Sequence, residues 1–156
     1  MSGKVEARLK TLGLVLPPAA APVANYVPYR IAGELLFISG QVSRTPDGKV
    51  LSGKLGAGVS KDQGKAAAKA CGLNILAQAQ AALGDLDRIR QCVKVLGFVN
   101  CAADFLEQPG VMNGCSDLLV EVLGDAGRHA RSAVGTNVLP MDATCEVEAI
   151  FQITAP

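Results

Sequence analysis

The sequence predicts an α+β domain, a single-layer sheet with two helices on one face. Three observations predict it. Short runs rich in β-branched and aromatic residues alternate with two longer helical stretches in the order β-β-α-β-α-β-β, after a helical leader. The helices are grouped between strand pairs, so they cover one face of the sheet and leave the other bare. At 156 residues, with 49% apolar and 19% charged positions, the chain can bury one core without disulfides or metal.

In residues 3–13, Val5, Leu9 and Leu12 recur at helical spacing with Glu6, Arg8 and Lys10 between them, which predicts a short amphipathic helix stopped by Pro17-Pro18. Residues 1–16 are therefore a helical leader and 17–156 a single domain. Runs 26–31 and 35–39 form a hairpin about the Gly33-Glu34 turn. Thr45-Pro46-Asp47-Gly48 is a turn, and 50–59, with three glycines, reads as a mobile loop. Ser60-x-x-Gln63 is a capping box opening a long helix that Gly84 stops. Gly64 and Gly72 inside it each cost about 1 kcal/mol relative to Ala, so close packing is expected at one of them. Residues 89–99 form a long central strand. Pro109 suits the first turn of a second helix over 111–123, ended by Gly124. Finally, 130–134 and 144–151 read as a hairpin of two strands, with Pro140 at the break.

A net charge of +1, 4% aromatic residues and no Trp argue against a phosphate-binding surface or a base-stacking platform, so nucleic acid is not expected as a partner. The five cysteines form no Cys-x-x-Cys pair and His129 is the one histidine, so neither a metal nor a cofactor is expected. Such cysteines read as small buried apolar residues. Met1-Ser2-Gly3-Lys4 lacks an apolar signal core and no run has membrane-spanning length, which predicts a soluble, cytoplasmic protein.

Charged residues inside the late strands need partners, solvent or a cleft. Arg131 opens one; Glu146 and Glu148 sit in the other. The ordered series Ala130-Arg131-Ser132, Leu139-Pro140-x-Asp142 and Glu146-x-Glu148-Ala149-Ile150, preceded by Tyr26-Val27 and Phe37-Ile38-Ser39-Gly40-Gln41, resembles the Rid/YjgF family of reactive-intermediate deaminases, once labelled endoribonuclease L-PSP. The resemblance extends over roughly residues 17 to 154. It implies a YjgF-like, chorismate-mutase-like fold and a homotrimer around a barrel-like centre, with active sites in the clefts between subunits. It implies hydrolysis of 2-imino or enamine acids to 2-oxo acids and ammonia. The alternative is a trimer that binds small carboxylates without turnover; an endoribonuclease rests on the family label alone.

By the same resemblance, Arg131 matches the carboxylate-binding arginine, whose planar fork holds a carboxylate as lysine cannot. Glu146 matches the glutamate that positions the attacking water, and Tyr26, Ser39 and Asn113 match further cleft positions. Taken alone these residues have plainer readings: a surface ion pair for Arg131, a solvated strand glutamate for Glu146, a rim aromatic, a strand-end hydroxyl and an exposed helix residue for the others. Gly40 reads as backbone geometry, a turn or a close approach. The chain departs from many members at His129 and Ala133, on either side of Arg131, and at Ala24-Asn25 before the tyrosine. It also has a longer 48–60 loop and the extra leader, which places it in a divergent branch. His129, as a lone histidine, reads as a surface or hydrogen-bonded residue.

Overall fold

The computed structural model describes residues 3–155; Met1 and Ser2 of the leader and Pro156 of the domain lie outside the described residues. α1 (Lys4–Thr11) buries Leu9 against the core and leans Val5 and Leu12 on it. Its own N-cap, Gly3, has no side chain to offer. The carboxylate of Asp87 takes over, accepting from the backbone N–H groups of Lys4 at 2.7 Å and Val5 at 2.8 Å.

β1 (Tyr29–Ala32) and β2 (Leu35–Val42) form the expected hairpin about Gly33, whose φ of 58° lies in the left-handed region. β1 starts three residues later than the sequence predicts, because Pro28 precedes it and leaves Tyr26 in a bend outside the sheet. β2 runs longer and carries a bulge at Ser39-Gly40: Ile38 pairs with Ala149 and Gln41 with Val147, so β2 has one residue more than its partner there.

The 48–60 segment is better anchored than a mobile loop. Its short parallel strands β3 (Lys54–Leu55) and β4 (Gly58–Val59) lie on the core, with Leu55 0% exposed. Leu51 donates its N–H to Ser43 and accepts from Thr144, and Leu55 accepts from Ala102. The glycines supply left-handed turns, and one fully buried leucine fixes the segment between them.

α2 (Lys61–Leu83) opens on the predicted capping box, with both reciprocal Ser60 and Gln63 bonds formed, and ends at Gly84 with φ 73°. Cβ atoms at Gly64 and Gly72 would each meet side chains, Leu55 and Leu118 respectively, at 2.8 Å, so both mark close packing. α3 (Gln108–Leu123) crosses α2 and packs on β5 (Ile89–Asn100) and β6 (Ala130–Thr136).

The predicted hairpin of the last two strands does not form. The sheet order is β1-β2-β7-β5-β6, with β7 (Cys145–Ile153) inserted between β2 and β5 and antiparallel to both. β6 runs parallel to β5, which requires a crossover, and α3 is that crossover. Once α3 has carried β6 to the outer side of β5, the place left for β7 is the inner one. Along β7, Cys145, Val147, Ala149, Phe151 and Ile153 are buried under the helices, while Glu146, Glu148, Ile150 and Gln152 project from the opposite face. That face is uncovered, and Phe37 on it is 39% exposed. Among the described residues no helix is long and apolar enough to cross a membrane.

Candidate functional site

The bulge in β2 opens a cavity of ≈ 340 Å³ at the end of the β2–β7 pair, lined by Tyr26, Gly40, Arg44, Asn74, Met141 and Glu146 among others. Glu146 is half-buried, and its carboxylate lies so close over Gly40 that a Cβ there would collide with Oε1. Burial raises the Glu146 carboxyl above the ordinary glutamate range, and the charge of Glu148 adds to the rise. Tyr26, 50% exposed, stands at the rim. Ser39 holds this rim in place without lining the cavity: its hydroxyl donates to the Val27 carbonyl at 2.8 Å and its N–H to Pro28 at 3.0 Å.

One wall is the turn Pro140–Asp142, where Met141 (φ 59°) and Asp142 (φ 53°) both adopt the left-handed conformation that non-glycine residues rarely take. A polar cluster imposes it from behind. Asn100 donates to Asp142 Oδ1 at 2.9 Å and to the Ala143 carbonyl at 3.1 Å, and Lys54 donates to Asn100 Oδ1 at 2.6 Å. Met141 consequently faces the cavity and meets Nη2 of Arg44 at 3.7 Å. Arg44 did not stand out in the sequence. An arginine beside a Thr-Pro-Asp-Gly turn has the signature of a solvated loop residue.

Arg131 and Asn113 lie elsewhere in the chain. On the free edge strand β6, Arg131 turns toward α3, where Nη1 donates to Asn113 Oδ1 at 2.9 Å and Ser116 Oγ at 3.0 Å, and Nη2 to the Pro109 carbonyl at 3.3 Å. His129 completes the arrangement. Its Nδ1 lies 2.6 Å from the Gly127 carbonyl, which can only accept, so Nδ1 carries the proton and Nε2 accepts from Ser116 Oγ at 2.9 Å. Burial lowers the His129 pKa and the charge of Arg131 lowers it further, both favouring the neutral ring. The histidine therefore orients Ser116, which in turn holds Arg131. A single chain thus joins Tyr26 and Glu146 in one cavity and leaves Arg131, on the edge strand β6, preorganised by Asn113 of α3 outside it.

Among the described residues no cluster of three or more His, Cys, Asp or Glu is placed to hold a metal. All five cysteines are free and buried, and burial pushes the thiols of Cys92, Cys115 and Cys145 up to about 12, which leaves them poor nucleophiles at neutral pH.

A family profile described as "YjgF/chorismate mutase-like, putative endoribonuclease" matches residues 6–153. The chain belongs to this family. YjgF-family relatives include Protein TCP17 of Trypanosoma cruzi, 48% identical over 153 residues that cover 97% of this chain and 96% of that one. The crystal structure of Atu1372 from Agrobacterium tumefaciens superposes with a TM-score of 0.89 at 46% identity, covering 97% of this chain and 94% of the other. The more distant E. coli TdcF, solved with bound serine, gives a TM-score of 0.60 at 25% identity, over 90% of this YjgF-family chain and 94% of TdcF.

Proposed function

We propose that this YjgF-family chain hydrolyses 2-imino or enamine acids to 2-oxo acids and ammonia in clefts between the subunits of a homotrimer. The observation that carries the proposal is the Glu146 carboxylate seated over the Gly40 bulge inside a small cavity. It is half-buried, and its carboxyl is raised toward the range useful for general-base work. Glu146 orients a water toward the imine carbon and takes its proton. The resulting carbinolamine expels ammonia as the C=O forms. Because a protonated imine is already electrophilic, positioning and modest electrostatics suffice.

Arg131 is the carboxylate clamp in this reading. It occupies the free edge strand, with its guanidinium already oriented by Asn113 and Ser116, so it meets a Glu146 cavity when a neighbouring subunit docks there. The bare sheet face, with Phe37 and Leu35 exposed, supplies the apolar surface for that assembly. TdcF with bound serine supports a small carboxylate as ligand class. Five free, buried cysteines suit a reducing compartment such as the cytoplasm.

The test is ammonia release from imines generated in situ by an amino-acid oxidase, with light scattering for the assembly. Acceleration over buffer, its loss in Arg131→Ala with the fold intact, and a mass of three subunits are expected. Thermal shifts with 2-oxo acids that depend on Arg131, without any acceleration, identify the carboxylate-binding trimer instead. A stable monomer, or shifts that persist in Arg131→Ala, refute the shared cleft.

A further inference from the structure

Glu146 and Arg44 are the two charged residues on the wall of the cavity, and they do not neutralise one another: among the described residues Arg44 enters no ion pair. A guanidinium offers five N–H donors. The side chain of Arg44 has one hydrogen bond, from Nη2 to the Met141 thioether at 3.7 Å, and a thioether is a weak acceptor. Nε is buried with no partner at all among the described residues. Most of the remaining wall is apolar, from Pro22, Val23, Pro28, Val42 and Pro140. Arg44 is only half-buried, so water reaches the outer N–H groups of its fork, and a ligand carboxylate or phosphate replaces that water with the two parallel acceptors the fork fits.

The backbone of this arginine is anchored. Asn74, itself buried on α2, donates to the Arg44 carbonyl at 2.8 Å, and the left-handed Met141-Asp142 turn supplies the thioether. The arginine's backbone is thus anchored at the cavity wall, and its guanidinium rests beside Met141 with its fork free to turn to a ligand.

We propose that Arg44 sets the substrate class: it holds a second anionic group, carboxylate or phosphate, on the side chain of a 2-imino or 2-oxo acid. The proposal rests on imine hydrolysis at Glu146, with Arg131 of the partner subunit taking the substrate's own carboxylate. The preferred substrates are then acids with two anionic groups. A cavity of ≈ 340 Å³ is at the small end of ligand sites and accommodates a molecule of this size.

The experiment is calorimetric titration of the purified full chain with two monoanions, pyruvate and 2-oxobutyrate, and three acids that carry a second anionic group, the dianions oxaloacetate and 2-oxoglutarate and the more highly charged phosphohydroxypyruvate. At least one of these three acids is expected to bind about ten- to a hundredfold more tightly than the monoanions, as a charge-assisted hydrogen-bond pair provides. Which one does so separates carboxylate from phosphate. Arg44→Gln should erase that preference by weakening the acids with a second anionic group at least about tenfold more than the monoanions, while circular dichroism and Tm report an intact fold. Arg44→Lys, which keeps the charge without the fork, should retain part of the preference and provides the comparison should the glutamine variant not fold. Equal affinities in the wild type, or a preference that survives in Arg44→Gln, overturn the assignment and leave imine hydrolysis standing. Binding of no 2-oxo acid overturns both.

Discussion

Gly40→Ala adds one methyl group where the Glu146 carboxylate rests. The new Cβ would collide with Oε1 and lie 3.0 Å from Cδ and 3.2 Å from Cγ. Gly40 is outside the left-handed region, so alanine fits the backbone without strain, and the atom it meets is the tip of a flexible side chain. The fold should therefore hold, and alanine gains about 0.4–1 kcal/mol by restricting the unfolded chain. The carboxylate must retreat by about 1 Å, a displacement that costs about a hundredfold in rate when the group positions a reactant. In free energy that is about 2.7 kcal/mol of lost transition-state stabilisation. Ammonia release in the coupled oxidase assay should fall to this extent while Tm holds to within about 4 °C of the wild type. In a Glu146→Ala background the same substitution should do nothing more, since its target is gone. Full activity in Gly40→Ala, or additive losses in the double variant, would refute a working carboxylate seated at the bulge.

Gly114→Ala should behave in the opposite way. A Cβ there would run into the Lys65 carbonyl of α2, rigid backbone, so the helices must part at a cost of about 2 kcal/mol, seen as a Tm lowered by roughly 4–8 °C. Glu146→Gln should raise Tm at neutral pH. The folded chain holds the Glu146 proton more tightly than the unfolded chain, so the anion's cost sets in above the ordinary 4.5 and is complete beyond the raised value. The variant's advantage should thus vanish when melting is followed below pH 4.5. Asp87→Ala removes the cap of α1 and should cost about 1 kcal/mol, or roughly 2–4 °C in Tm. Bonds from Val5 and then Lys4 hold the Asp87 carboxyl below the ordinary 3.8, so this stabilisation is full above 3.8 and is lost as pH falls through the lower folded value. Melting of wild type and variant should converge there.

The parts of the fold legible in the sequence are those written locally. Ser60, Gln63 and Gly84 bound α2 through contacts within a turn or two, and each is found as predicted. Pairing of the last strands was not legible, because nothing in 130–136 or 145–153 states that β5 separates them; that follows from α3 crossing the sheet, a fact about distant packing. Loop 48–60 misled for the related reason that its glycines speak of turns, while its order comes from Leu55 reaching the core. At the site, Gly40 carried its signal in the strand pattern. Arg44 carried none, since its environment depends on Met141, 97 residues later. Nor does spacing reveal that Glu146 lines a cavity on the central strand β7 while Arg131 stands apart on the edge strand β6.

The central position of β7 bears on how the protein is made. Synthesis delivers the β1-β2 hairpin first and the β5-α3-β6 unit second, and in the finished sheet these two pieces meet only through β7. Until residues 145–153 emerge, a nascent chain carries two unpaired inner edges, on β2 and β5, flanked by apolar side chains. The strand bearing Glu146 is thus also the one that joins the halves, so the cavity and the folded sheet come into being together. Chains truncated before Cys145 should be caught by chaperones or aggregate, and hydrogen exchange during refolding should protect β2 and β5 only as β7 becomes protected.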